Sequence, residues 1–149
     1  MLEQEPIARL IGATRRRIKQ AVGRRLRHQG LSPQQFFVLV NMDEGLSLRD
    51  LAGRLHMDEP TASRVVSALT RRRLVRTESH PEDRRRRRLA LTAAGQDLAY
   101  KVQPIADELR RAVEAGFSAA EKDLLRSLLA RVMENMGRLE RASPERPRD

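Results

Sequence analysis

Apolar residues recur at helical spacing along most of the chain, and this pattern predicts a mainly helical protein. The first thirty residues carry one such stripe and end at Gly30, a residue typical of helix ends. A second long stripe runs from Leu98 to about Phe117 with Pro104 inside it, which predicts one kinked helix. Ser118 and Glu121 form a capping box before a last helix. The apolar positions of that last helix are Leu124, Leu125, Leu128, Leu129, Val132, Met133, Met136 and Leu139.

The segment from Ser47 to Leu91 predicts two short amphipathic helices followed by a basic β-hairpin. The first helix is capped by Ser47 with Asp50 three residues on, and it buries Leu48, Leu51, Ala52 and Leu55. Asp58 caps the second helix, whose buried positions are Ala62, Val65, Val66 and Leu69. Ser32 and Pro33 open a compact helix upstream of this unit. Two packed helices followed by a hairpin make the layout of a winged helix-turn-helix.

The outward side of the second helix is polar and cationic. In a helix-turn-helix this helix enters the major groove of double-stranded DNA, so Thr61, Ser63 and Arg64 are the expected base readers. Arg71, Arg72 and Arg73 lie farther along and are better placed for phosphates. A solvated amphipathic helix is the alternative interpretation of this element. The candidate DNA-binding residues of the helix are Pro60, Thr61, Ser63, Arg64, Ser67, Arg71 and Arg72.

The predicted hairpin has strands at Leu74 to Glu78 and Arg88 to Thr92, with a strongly basic tip between them. An arginine-rich tip suits the negative potential of a minor groove. Asp83 precedes the arginine run and could pair with one guanidinium, which would hold the tip in shape. A charged loop in solvent is the alternative. The candidate DNA-binding residues of this wing are Asp83, Arg84, Arg85, Arg86 and Arg87.

These residues resemble the MarR family of multiple antibiotic resistance regulators. The family's wing carries Asp-x-Arg and ends in Leu-x-Leu-Thr-x-x-Gly, which correspond here to Asp83, Arg85, Leu89, Leu91, Thr92 and Gly95. The stretch LSPQQFFVLVNM from Leu31 is similar to the family's preceding helix, and the resemblance covers roughly residues 7–139. One departure is Arg73, because the family often has glycine at the end of the recognition helix.

The resemblance implies an intertwined helical homodimer, and more often a repressor than an activator. It also places a candidate pocket for a small-molecule effector near Phe36 and Phe37. Packing of these two rings in the core or in the dimer is the alternative that the sequence favours. A two-fold dimer predicts a palindromic promoter site with half-sites about 34 Å apart.

The distribution of charge supports a polyanionic partner. The formal net charge is +10, and residues 1–96 hold 20 Lys and Arg against 10 Asp and Glu, whereas residues 97–149 hold 10 of each. Residues 7–41 contain no acidic residue and eight basic ones; some of these could widen a DNA footprint, but an ordinary solvated helix surface is the interpretation that the sequence favours here. Nucleic acid fits this asymmetry better than a membrane surface does. A protein that binds nucleic acid by charge, without reading sequence, is the second hypothesis.

Other functions find little support in the sequence. The absence of cysteine excludes disulfides and thiol chemistry. His28, His56 and His80 have no metal-ligand spacing, and no catalytic or phosphate-loop motif is present, so we expect neither an enzyme nor a cofactor or metal. No secretion signal or membrane span is recognisable, which predicts a cytoplasmic protein.

The sequence therefore predicts a mainly α protein with a small β-hairpin wing, in which N- and C-terminal helices form a dimerisation region. Residues 1–30 are the predicted N-terminal dimerisation helix, and residues 31–95 the winged helix-turn-helix. Residues 96–141 are the predicted C-terminal dimerisation helices, and residues 142–149 a disordered tail.

Overall fold

The computed structural model of the chain describes residues 4–80, 82–83 and 87–142. Within them, six helices and one hairpin are present, in agreement with the predicted fold class. Pro81, the wing-tip residues Arg84, Arg85 and Arg86, and residues 143–149 of the predicted tail lie outside the described residues. The elements are α1 (Ile7–Arg25), α2 (Pro33–Val40), α3 (Leu48–Arg54), α4 (Glu59–Arg71), β1 (Val75–Ser79), β2 (Arg87–Leu91), α5 (Ala93–Glu114) and α6 (Ala119–Ala142).

Four helices begin at side-chain caps that the sequence prescribes. Ser32 caps α2 with Gln35 as its capping-box partner, and Ser47 caps α3 with Asp50. The Asp58 carboxylate accepts the Thr61 backbone N–H over 2.8 Å at the start of α4. Each cap satisfies backbone donors that the first turn of a helix leaves without partners. The capping boxes predicted at Ser47 and Ser118 are confirmed.

The helices α3 and α4 both end at a non-glycine residue in the left-handed region. His56 has φ 50° and Arg73 has φ 57°. After α4, the Leu74 N–H donates to the Leu69 carbonyl over 3.0 Å, and the Arg73 N–H donates to the Thr70 carbonyl over 2.9 Å. This is the hydrogen-bond pattern of a Schellman motif. Arg73 therefore adopts the left-handed conformation in which glycine commonly ends a helix, in spite of its Cβ.

The chain divides into two compact units, residues 1–109 and 110–149. The first unit has a core in which the predicted stripes of α3 and α4 are buried, as expected. α1 contributes only its C-terminal part to this core. The largest fully buried side chains are those of Val22, Leu26, Phe36, Val38, Leu39, Leu51, Leu69, Val75 and Val102.

The hairpin pairs antiparallel with Val75 opposite Leu91 and Ser79 opposite Arg87. Both strands are displaced by one residue from the prediction, β1 toward the C-terminus and β2 toward the N-terminus. Leu74 is not in a strand because its N–H closes the end of α4. On its other side β2 receives one further backbone bond, since the Leu89 N–H donates to the Leu46 carbonyl over 2.7 Å. The wing is thereby joined to the segment that enters α3.

The helix α5 begins at Ala93, five residues before its apolar stripe starts at Leu98, and Pro104 lies inside it as expected for one helix. In the second unit, Lys122 and Arg126 both pair with Glu114, at 3.2 Å in each case. No residue of α6 is buried. Its apolar side chains are therefore accessible along the helix.

Candidate nucleic-acid interface

The two sides of α4 differ sharply. Ala62, Val65, Val66 and Leu69 face the core, as predicted. The remaining positions form an exposed polar side, and Thr61 at its flank is half-buried. The exposed members of the predicted reading surface are Pro60, Ser63, Arg64, Ser67, Arg71 and Arg72.

A chain of hydrogen bonds organises the first turn of α4. The Thr61 hydroxyl donates to Asp58 Oδ2 over 2.8 Å, and Arg64 Nη2 donates to the same hydroxyl over 3.0 Å. The backbone and hydroxyl hydrogen bonds from Thr61 lower the pKa of Asp58, so this carboxylate stays ionised. The predicted reader Thr61 is thus occupied within the helix, where it orients Arg64. Arg64 is the cation that this network presents near the N-terminus of α4.

Arg72 does not point away from the protein as a phosphate contact would. Its Nη1 donates to the Gly30 carbonyl over 2.8 Å and lies 3.3 Å from Gln35 Oε1. Because Gln35 belongs to the capping box of α2, Arg72 ties the end of α4 to the beginning of α2. The other two exposed cations at the end of α4 are Arg71 and Arg73.

A groove of about 780 Å³ separates the exposed side of α4 from the wing. Arg49 from α3, Arg71 from α4 and Arg87 from β2 all line it, so three elements contribute cations. Glu59 is the acidic residue of its lining, and its carboxylate lies 4.0 Å from Arg49 Nε. Sequence reasoning missed Arg49. The signal was available, since Arg49 occupies the first turn after the Ser47 cap and is excluded from the apolar stripe of α3.

The described part of the wing holds a small ion-pair network. Glu78 pairs with Arg76 at 2.6 Å on its own strand and with Arg88 at 3.2 Å across the hairpin. The hydrogen bond from Arg76 is the main cause of the lowered pKa of Glu78. Arg87 is exposed at the start of β2. Asp83 is exposed, and its predicted pairing with Arg85 involves a residue outside the described ones, so that pairing stays a prediction.

Phe36 and Phe37 lie where the packing alternative places them. Phe36 is fully buried in the core of the first unit, and Phe37 is partly buried against the same core. Their ring centroids are 5.2 Å apart in an edge-to-face arrangement with an interplanar angle of 61°. Core packing therefore accounts for both rings.

Two other kinds of site have no counterpart in residues 4–80, 82–83 and 87–142. In this part of the chain, no group of three or more His, Asp or Glu side chains is arranged to hold a metal ion. Likewise, none of the described helices combines the length and the apolar character that crossing a bilayer requires.

An exposed polar helix that follows a short turn, with a basic antiparallel hairpin behind it, defines a winged helix-turn-helix protein. Residues 29–86, which include both helices and the first strand, match the MarR family. This match agrees with the family resemblance that the sequence motifs indicated. No curated protein matches the chain by sequence.

Solved structures of transcriptional regulators share the fold over most of the chain. A probable transcriptional regulator from Pseudomonas aeruginosa is 27% identical, with a TM-score of 0.72 over 89% of this chain and 99% of that one. A Listeria monocytogenes protein of the family, crystallised with 26mer DNA, is 23% identical, with a TM-score of 0.79 over 96% and 99%. The MepR–DNA complex of S. aureus is 21% identical, with a TM-score of 0.78 over 88% and 96%. At such identities the likeness establishes the fold.

Proposed function

We propose that this protein is a dimeric transcriptional regulator that binds double-stranded DNA and reads its sequence with α4. The observation that carries the proposal is the exposed side of α4, where Arg64 is oriented by Thr61 and the adjoining groove is lined by Arg49, Arg71 and Arg87. A helix of this kind fits the major groove, and the basic wing fits the neighbouring minor groove. Two structurally similar proteins were solved with DNA, which supports the proposal.

The proposed dimer follows from α6. Seven of its apolar side chains are between 40% and 61% exposed, which leaves an apolar face that one chain does not cover: Leu124, Leu125, Leu128, Leu129, Met133, Met136 and Leu139. Large contiguous apolar surfaces of this kind mark interfaces between proteins. A second copy would cover this face and present a second recognition helix. The proposed operator is therefore a palindrome with half-sites about 34 Å apart.

Repression and release by a small molecule complete the proposal. A dimer seated on promoter DNA excludes polymerase, which is the simplest mode of repression, and it would act in the cytoplasm. For an effector, the first unit offers a cleft of about 520 Å³ behind the wing, lined among others by Arg76, Glu78 and Arg88. A ligand that binds better to the DNA-free conformation would lower operator affinity by its differential affinity for the two states.

The role of Arg64 gives the proposal its test. We expect Arg64→Ala to weaken binding to a selected operator by about 1–3 kcal/mol and to relax base preference, because the guanidinium donates to base edges. Fluorescence anisotropy with operator and scrambled duplexes of equal length measures both effects. Arg131→Ala is the matched control, since Arg131 is an exposed cation of α6.

Two results would decide against a reading role. If Arg64→Ala weakened operator and scrambled DNA equally, Arg64 would be a phosphate contact. If the wild-type protein bound both duplexes with the same affinity, the charge-only hypothesis would replace base readout altogether.

A further inference from the structure

The exposed side of α1 is cationic and has no acidic counterpart on its own helix. Arg9 pairs with Glu5 just before the helix, and Arg25 pairs with Glu108. Six other exposed cations form no ion pair with any of the described residues, and four of them are Arg16, Lys19, Arg24 and Arg27. We call these four residues the α1 basic surface.

The four cations share one side of the helix. At about 100° per residue, Arg16, Lys19 and Arg24 fall within an arc of roughly 140°, on the side away from Ile11, Ile18 and Val22. Arg27 continues this surface in the turn that follows α1. At about 1.5 Å per residue, the surface extends roughly 16 Å along the chain from Arg16 to Arg27.

Three cations of the second unit, in contrast, are paired with acidic residues. Lys122 and Arg126 pair with Glu114, and Arg138 pairs with Glu134. Like charges three or four residues apart, as in Arg16 and Lys19, destabilise a helix by a few tenths of a kcal/mol. A polyanion bound to the α1 basic surface would remove this repulsion. A polyanion is therefore the kind of partner that the charge of this surface favours.

The α1 basic surface adjoins the reading unit. Arg72, the C-terminal cap of α4, donates to the Gly30 carbonyl three residues after Arg27. If the N-terminal turn of α4 lies in the major groove, its C-terminal end leads out toward the phosphate backbone. The turn that holds Arg27 therefore lies at the backbone edge of the proposed DNA site, and α1 leads away from it.

We propose that the α1 basic surface binds the phosphates of duplex DNA that flanks each half-site. A length of about 16 Å corresponds to roughly five base pairs at 3.4 Å each, or half a helical turn. This inference rests on the proposed DNA-binding function, which it extends from the half-site to its flanks. The flanking interaction carries no base information, because the surface consists of cations that neutralise phosphates.

The test compares two operator duplexes that differ only in length. The short one contains the two half-sites in about 20 base pairs, and the long one adds roughly one helical turn on each side. Four simultaneous substitutions, Arg16→Gln, Lys19→Gln, Arg24→Gln and Arg27→Gln, remove the surface. The control carries Arg111→Gln, Arg131→Gln, Arg138→Gln and Arg141→Gln, which make the same change in net charge within the second unit.

We expect the wild type and the control to bind the long duplex at least about tenfold more tightly than the short one. The α1 variant should lose this preference and keep its short-duplex affinity. Its slope of log K against log salt on the long duplex should fall by about 0.9 for each phosphate that the variant no longer neutralises. Circular dichroism checks folding, and the pair Arg16→Gln and Lys19→Gln serves if the fourfold variant does not fold.

Three outcomes would overturn this inference. One is equal wild-type affinity for both lengths. Another is an equal loss of affinity on both lengths in a folded α1 variant, which would place the bound phosphates inside the half-site. The third concerns RNA of the same length as the long duplex. It is tight binding of this RNA that is lost in the α1 variant, while binding of the long DNA duplex is unchanged. In each case the short operator separates this inference from the proposed function. If the wild type binds the short operator selectively, the proposed function stands. If it does not, the proposed function is wrong as well.

Discussion

Arg73 shows how a single residue departs from the simplest expectation. Its φ of 57° lies in the left-handed region, which costs a non-glycine residue about 1–2 kcal/mol. The two Schellman hydrogen bonds and the burial of Leu74 hold it there. The Thr92 hydroxyl also donates to the Arg73 carbonyl over 2.7 Å. Tertiary interactions thus impose a backbone conformation that the residue type alone disfavours.

Arg73→Gly should stabilise the protein. Relief of the steric cost exceeds the added freedom of the unfolded chain, about 0.4–1 kcal/mol, so we expect a net gain of about 0.5–1 kcal/mol. Thermal unfolding should show a rise in Tm of about 1–4 °C. Arg71→Gly is the control, because Arg71 lies in the regular last turn of α4 and should lose about 1 kcal/mol. A similar loss of stability in both variants would contradict the strain at Arg73.

Helical periodicity predicted which residues of α4 are exposed, but it did not predict the direction in which their long side chains turn. The predicted outward positions are exposed, because the 3.6-residue repeat fixes where each Cβ points. Arg72 is also exposed, yet its guanidinium turns back to Gly30 and Gln35. Such a bond depends on a chain segment some forty residues away. No local pattern contains that information.

At the level of elements, the junction of α4, β1 and α5 decides how the wing is held. The Thr92 N–H donates to the Leu74 carbonyl over 3.0 Å, and the Thr92 hydroxyl accepts the Gly95 N–H over 3.0 Å. A Cβ at Gly95 would lie 1.9 Å from the Leu74 carbonyl oxygen. The helix α5 therefore approaches the backbone of Leu74, just before β1, more closely than any other residue type at position 95 permits.

Gly95→Ala should be strongly destabilising. The added methyl group must displace α5 from the Leu74 backbone, which we expect to cost about 3 kcal/mol or more in urea unfolding. Gly53→Ala is a suitable control, since no atom lies within 4 Å of a Cβ there and alanine favours the helix. It should gain about 0.5–1 kcal/mol. Equal stability of the Gly95→Ala variant and the wild type would contradict this prediction, because it would show that α5 and the Leu74 backbone move apart at little cost.

The sequence predicted the type and order of the elements well, because caps and periodicity are local signals. Ser47, Asp58 and Ser118 each mark the residue before a helix, and all three do so in the structure. The strand ends differ from the prediction by one residue. For β1 the reason is that the Leu74 N–H donates to the Leu69 carbonyl at the end of α4.

At the scale of the whole molecule, the two units differ in how far they bury their apolar side chains. The first unit encloses a core and carries the proposed DNA-binding surfaces. In the second unit, α6 contains no buried residue and exposes seven large apolar side chains. The sequence predicted that this stripe needs a second chain. The proposed homodimer is the assembly that supplies it.

Leu125→Glu should weaken the proposed dimer. A charge on the apolar face removes leucine burial in both copies, so we expect dissociation to increase at least about tenfold. Ser127→Glu places the same charge on the opposite side of α6 and serves as the control. Sedimentation velocity at micromolar concentrations distinguishes monomer from dimer. A wild-type monomer, or an unchanged Leu125→Glu dimer, would refute this arrangement.

The most direct test of the central claim is selection of wild-type-bound duplexes from a random DNA library at near-physiological salt, followed by sequencing. The account predicts enrichment of a palindrome whose half-sites lie one helical turn apart, because two copies of α4 read the major groove on one face of the duplex. Tight binding with no enriched sequence would contradict it and would leave a protein that binds nucleic acid by charge alone.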